Sequence, residues 1–355
     1  MFSVSSIRGN GTKLAPGTFR ILPASCLIIE ADGYAMNRYL RLLGVVATVG
    51  MFFVLVTGAT VTNTGSEQGC GRSWPLCHGK VIPQLAAATA IEWSHRADAL
   101  IETLLILPLA AGAFAAYRRR RDIQVLASTM VLFIFLQAGL GAWAVMYPQQ
   151  AAILALHFGV SLIAFASVLL TTVVLFEVTG SEKRRALPAP AGFRAFVWSV
   201  TGYSYLVVYL GAYVRHAKAD LSCMGWPLCN SSLIPALQGP VAINFVHRVA
   251  AGLLVLGIMG LVVWSGRIRA SRPDLFRASV IALLMVLLQA VSGAIVVFTR
   301  LDIFSALAHA ALAGLMFGSL TYLCLHVISL RAVETDPIHE RLLGSPASGP
   351  ARAGR

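Results

Sequence analysis

The chain has 355 residues, of which 57% are hydrophobic and only 12% charged, with a mean hydropathy of +0.75. That leaves too little polar surface to clothe a water-soluble globule of this size, so the composition points to a bilayer as solvent. The net charge of +13 does not signal nucleic acid, because the basic residues sit in short blocks at alternate ends of the apolar runs, as topology signals do.

Residues 1–35 read as a disordered N-terminal extension. Arg8, Lys13 and Arg20 precede any acidic residue, and the apolar stretch ILPASCLII is too short to span. The segment resembles a poor targeting peptide, and Met36, before a basic flank and an apolar run, is an equally good start site. Eight runs then reach the roughly 20 residues a spanning helix needs. They lie at 41–62, 88–115, 123–146, 151–176, 195–215, 241–265, 277–299 and 303–330. Basic residues at Arg38 and Arg41, Arg118 to Arg121, Lys183 to Arg185, Arg267 to Arg272, and Arg331 with Arg341 mark every second connection as cytoplasmic. Both termini are therefore expected inside, with loops 63–87, 147–150, 216–240 and 300–302 outside. Residues 333–355 read as a disordered tail.

An internal repeat organises these elements. Trp74-Pro75-Leu76-Cys77 recurs as Trp226-Pro227-Leu228-Cys229, and the same offset carries Pro83 to Pro235, His95-Arg96 to His247-Arg248, Gln137 to Gln289, Gly141 to Gly293 and His157 to His309. Gly58-Ala59 and Cys70 map to Gly211-Ala212 and Cys223 with one residue more, so the second half lacks one residue between its cysteines. The expected fold is an all-α polytopic membrane protein: eight transmembrane helices as two tandem four-helix bundles, residues 36–180 and 195–332, joined by a cytoplasmic linker at 181–194. Four spans is an even number, so the halves should be parallel repeats.

Four histidines, His95, His157, His247 and His309, fall on spans two, four, six and eight. Each lies about 10 Å deep from the outer end at 1.5 Å per residue. Ionisable groups at that depth need a reason. Two imidazoles from neighbouring helices suit a planar haem iron, whereas tetrahedral zinc wants three or four ligands together. Interhelical hydrogen bonding is the competing reading. Pairing His95 with His157 and His247 with His309 gives one haem per half, although pairs that cross between the halves are also open. His326 has no counterpart, since Val174 stands there, and reads as structural; His78, His216 and His339 read as solvated. Arg96 and Arg248 would either meet haem propionates or snorkel to the interface.

Cys70 with Cys77 and Cys223 with Cys229 lie in loops expected to face an oxidising exterior, so one disulfide in each half is the default. Each pair is either a staple over the haem or, for the first pair, a redox relay. Cys26 and Cys324 read as unpaired. The halves differ around the first ligand: Glu92, Asp98 and Glu102 are replaced by Asn244, Ala250 and Leu254. The first half is therefore expected to be reactive.

The Glu-x-x-His-Arg motif at Glu92, its Asn-x-x-His-Arg copy at Asn244, the histidines of spans four and eight, and the cysteine pairs together resemble the haem A synthase family of the cysteine-containing bacterial type. The likeness covers about residues 36–330. It implies oxidation of the C8 methyl group of haem O to a formyl group by two hydroxylations, giving haem A. It implies that His95 and His157 hold the substrate haem, that His247 and His309 hold haem b, that Glu92 is the essential carboxylate, and that Cys70 and Cys77 are the functionally important pair. A haem O synthase, an unidentified electron acceptor and a downstream terminal oxidase are the implied partners beside membrane lipid, with no nucleic acid and a homo-oligomer allowed. The expected location is the bacterial plasma membrane, or a mitochondrial inner membrane if the leader is real. A disulfide:quinone oxidoreductase would not explain four histidines in register. A diheme electron-transfer or haem-carrier protein would leave the Glu92/Asn244 difference without a role.

Overall fold

The computed structural model describes the backbone of residues 24–147, 150–177 and 188–328, with side chains described from Asn37 onward. The expected C-terminal tail, residues 181–187 of the linker and residues 1–23 lie outside the described residues. Eight helices follow in order: α1 (Ala24–Thr64), α2 (Ala87–Ala116), α3 (Arg121–Met146), α4 (Ala151–Glu177), α5 (Ala191–His216), α6 (Gly239–Arg267), α7 (Pro273–Phe298) and α8 (Ile303–Val327). All eight are long and apolar enough to cross a membrane, α1 through its stretch Asn37–Thr64. No strand occurs among the described residues. A backbone without water must satisfy its hydrogen bonds within each segment, so the all-helical solution follows from the composition.

Two kinds of boundary depart from expectation. The segment read as a disordered leader is helical from Ala24, so the basic flank at Arg38 lies inside α1. No proline interrupts residues 24–40, and extending an existing helix costs far less than starting one. Helices α5 and α7 begin four residues earlier than the apolar runs suggest. Their first turns hold Arg194 and Asp274, which hydropathy leaves out although Pro190 and Pro273 mark the starts.

Within the unit Leu40–Arg355, α3 packs on α2 and α4, and α7 packs on α6 and α8. Helices α4, α5 and α8 contact one another across the middle. Their shared core includes Leu162, Phe165, Val207, Met316 and Leu320, reached from α1 by Met51 and Leu55. Small residues allow the close approach: a Cβ on Gly318 would come within 2.9 Å of Leu169, and one on Gly112 would collide with Leu40.

Ion pairs close the end of the bundle away from the long loops. His326 meets Glu177 at 2.9 Å, and Arg272 donates to the carbonyl of His326 at 2.8 Å while pairing with Asp274. His326 thus joins α4 to α8, in keeping with the structural role expected of it. Arg120 pairs with Asp122 in the same way at the start of α3. Both aspartates sit in first helical turns, where the helix dipole favours negative charge.

Candidate functional site

The four histidines of the even helices share one local device. Each imidazole lies against a glycine of the preceding helix. A Cβ at Gly58 would come within 3.0 Å of His95, at Gly141 within 3.3 Å of His157, at Gly211 within 2.8 Å of His247, and at Gly293 within 3.1 Å of His309. Any larger residue would push the ring out of its seat. All four rings are half-buried. His95 and His157 lie within electrostatic range of each other, as do His247 and His309.

Side-chain hydroxyls orient two of the rings. Thr57 Oγ1 contacts His95 Nδ1 at 3.1 Å, and Ser292 Oγ contacts His309 Nδ1 at 2.8 Å, with Gln289 at 3.3 Å from His309 Nε2. The Nδ1 atoms of His157 and His247 have no hydrogen-bond partner among the described residues. Sequence reading missed Thr57 and Ser292, because neither belongs to the repeat: Leu210 and Leu140 stand at the corresponding positions. Among the described residues, no group of three or more His, Cys, Asp or Glu side chains gathers as a metal site.

The loops after α1 and α5 close over the same ends of the helices. Cys70–Cys77 and Cys223–Cys229 are disulfides with Cα separations of 4.7 and 4.6 Å. After the second cysteine of each pair, a two-residue hairpin forms: Cys77 exchanges both backbone hydrogen bonds with Lys80, and Cys229 does so with Ser232. His78 and Gly79 have φ of 51° and 75°, the left-handed conformation that such a turn needs at both central positions and that glycine adopts without strain. The Trp74-Pro75 and Trp226-Pro227 bonds are both cis.

The charged motif of α2 holds its loop from below. Glu92, only 3% exposed, accepts the Cys70 backbone N–H at 2.7 Å through Oε2 and pairs with Arg96 through Oε1. Arg96 also donates to the carbonyls of Ser73 and Leu76. In α6, Asn244 donates to the carbonyls of Ala219 and Asp220, and accepts from Arg248. Arg248 donates to the carbonyls of Gly225, Leu228 and Cys223. Both arginines hold loop carbonyls. Asp220 is pushed up from the usual carboxylate range by burial, with the Arg215 guanidinium opposing that shift.

Two further residues differ from expectation. His216 closes α5 rather than lying in a loop, and it is half-buried within electrostatic range of His157. Helix α5 carries it inward because the helix runs to His216 itself. His78 is exposed and rests against the Gly69 carbonyl, as a solvated loop histidine should. Of the acidic residues peculiar to the first half, Asp98 is half-buried. Glu102 is 1% exposed, and neither of its oxygens has a partner among the described residues. Cys324 is an unpaired, buried thiol against Thr201, whereas Cys26 lies in a stretch whose side chains are not described.

Fold and site define a multi-pass α-helical membrane protein with two pairs of half-buried histidines beneath disulfide-closed loops. The chain belongs to the COX15-CtaA family of cytochrome oxidase assembly proteins, whose family model matches residues 41–321. Its relatives include a "Heme A synthase" of Bacillus licheniformis, 41% identical over 83% of this chain and 98% of the relative. Those of Halalkalibacterium halodurans and Symbiobacterium thermophilum, each 39% identical, align over 84% and 81% of this chain and 100% and 95% of their own lengths.

Proposed function

We propose that this chain is a haem A synthase that oxidises the C8 methyl group of haem O to the formyl group of haem A, with the first four-helix half as the reactive one. The proposal rests on one observation above the others: matched histidine pairs seated on glycines in both halves, with a carboxylate beside the ligand in the first half only. Relatives named for this activity, which align with this chain over nearly their whole lengths, support it.

On this reading His95 and His157 hold the substrate haem, and His247 and His309 hold haem b. The residues fit such groups. The two imidazoles of each half lie within electrostatic range of each other, glycines leave room for the rings, and Thr57 and Ser292 hold the Nδ1 of one histidine in each half, as hydrogen-bond partners of metal-bound histidines do. Haem b, when bound, supplies an iron centre able to pass electrons. Arg96 and Arg248 hold the loops that cover the two sites. The disulfides keep those loops closed on the oxidising outer face, with both termini inside, as the placing of the basic residues indicates.

Glu92 is the candidate base. A carboxylate offers about four lone-pair positions, and Cys70 and Arg96 engage one on each oxygen. The remaining positions can accept a proton from water, or from the methyl group as its electrons leave. The second half has Asn244 there, which cannot take that proton, and so holds its haem without altering it. The test is to supply the purified protein with haem O and separate the extracted haems by chromatography. Haem A or its hydroxylated precursor is expected, and unaltered haem O in the presence of an electron acceptor would overturn the assignment.

A further inference from the structure

Among the described residues, Glu102 is the one buried carboxyl that the proposed chemistry does not use. It is 1% exposed, on a helix long and apolar enough to cross the membrane, and neither oxygen has a hydrogen-bond partner among the described residues. A polar group left so in a bilayer interior is costly, and where one persists it is usually functional.

Its place along the bundle is specific. Glu102 follows His95 by seven residues on α2, which is two turns and about 10 Å along the same face. The carboxyl lies against Gly50 of α1, where a Cβ would meet Oε2, just as the His95 ring lies against Gly58. Both groups therefore occupy the α1–α2 seam, with the carboxyl farther from the loops.

The second half has neither partner of this contact. Leu254 replaces Glu102. Counting back equally from Gly58 and Gly211, Tyr203 replaces Gly50, and its hydroxyl donates to the Ala250 carbonyl at 3.2 Å. The corresponding space is thus filled by an aromatic ring and an apolar side chain. One seam offers an unpaired hydrogen-bonding group, and the other offers none.

The two haems assigned to these halves differ in the same respect. Haem O carries a hydroxyl on its farnesyl-bearing side chain, whereas haem b carries an apolar vinyl group at that position. We infer that Glu102 hydrogen-bonds the hydroxyl of the farnesyl-bearing side chain and so sets the preference of the first half for haem O over porphyrins that lack it. This rests on the proposed function, because it takes the first half as the haem O site. Room for the carboxyl depends on Gly50, so the pair forms one specificity element. Sites built to hydrogen-bond a substrate hydroxyl discriminate strongly against analogues without it, because the buried polar group is then left unpaired.

The experiment uses the full-length protein in detergent, with haem b bound and no electron acceptor present, titrated with haem O and with the same porphyrin after removal of its side-chain hydroxyl. Wild type should bind haem O at least tenfold more tightly. Glu102→Leu should lower haem O affinity to that of the deoxy analogue and abolish the difference, while Glu102→Gln, which still hydrogen-bonds, should keep most of it. Retained haem b absorbance shows that each variant is folded. Equal binding of the two porphyrins by wild type overturns the inference, and this arm needs no variant. A Leu variant that keeps the full preference overturns it as well. An electron acceptor is then added to the wild-type sample. Conversion of haem O after equal binding removes the role of Glu102 alone, whereas no conversion removes the proposed function.

Discussion

The backbone N–H of Cys70 donates to Oε2 of Glu92 at 2.7 Å, so the disulfide loop and the candidate base are parts of one structure. Glu92 stands one helical turn before His95, and its other oxygen holds Arg96, which holds the loop again at Ser73 and Leu76. Any change at Glu92 acts on both chemistry and loop closure, and the two effects separate by substitution. Glu92→Gln keeps an oxygen for the Cys70 N–H but cannot take a proton. Glu92→Ala also leaves that buried N–H without an acceptor, at a cost of about 1–3 kcal/mol. Conversion of haem O should be lost in both, and thermal unfolding in detergent should come earlier for Ala than for Gln. A Gln variant with wild-type turnover would make Glu92 only a loop anchor.

The glycines beneath the histidines should be intolerant of even one methyl group. Gly211→Ala places a Cβ within 2.8 Å of His247, and Gly58→Ala places one within 3.0 Å of His95. The first should lower haem b content and the second should lower haem O binding, each with little effect on the other half. Gly141→Ala, with 3.3 Å available, should be the mildest of the set. Haem-to-protein ratios from pyridine haemochrome spectra give the comparison.

The hydroxyls that hold the ring nitrogens are worth a similar test. Thr57→Val removes the partner of His95 Nδ1 without changing the side-chain volume appreciably. Losses of outer-shell partners typically cost 10–100-fold in metal affinity. A loss in that range is expected for haem O, with haem b unchanged. Ser292→Ala should do the reverse.

The first disulfide is enclosed, with Cys70 at 0% and Cys77 at 2% exposure. Thiol-disulfide exchange needs access to a sulfur, so a membrane-impermeant reductant should leave it closed in the folded protein and open it only after unfolding. Alkylation and mass spectrometry before and after denaturation measure this. Cys70→Ala should cost about 2.5 kcal/mol from loop-closure entropy in the unfolded chain. It should also weaken turnover through the Glu92 contact.

Much of this architecture was legible in the sequence, because a bilayer enforces a simple code. Apolar runs mark all eight spans, and the repeat of Trp-Pro-Leu-Cys and His-Arg singles out the histidines and cysteines. The misread boundaries fell where a helix carries charge in its first turn, as at Asp274, or continues through a weakly apolar stretch, as at Ala24. Contacts made by backbone atoms could not be read at all. That Glu92 holds the Cys70 N–H, and that Arg96 and Arg248 hold loop carbonyls, depends on where loops of irregular conformation pass over the helix ends. Thr57 and Ser292 escaped because they lie outside the repeat, and His216 because hydropathy ended its helix too soon.

The central claim, that the first half transforms the haem which its histidines hold, is tested most directly by extracting the bound haems from wild type and Glu92→Ala expressed alongside a haem O-producing enzyme. Wild type should yield haem b with haem A or its hydroxylated precursor, and the variant should yield haem b with unconverted haem O. Haem b alone from both proteins would contradict the account and leave a haem-binding or electron-transfer protein in its place.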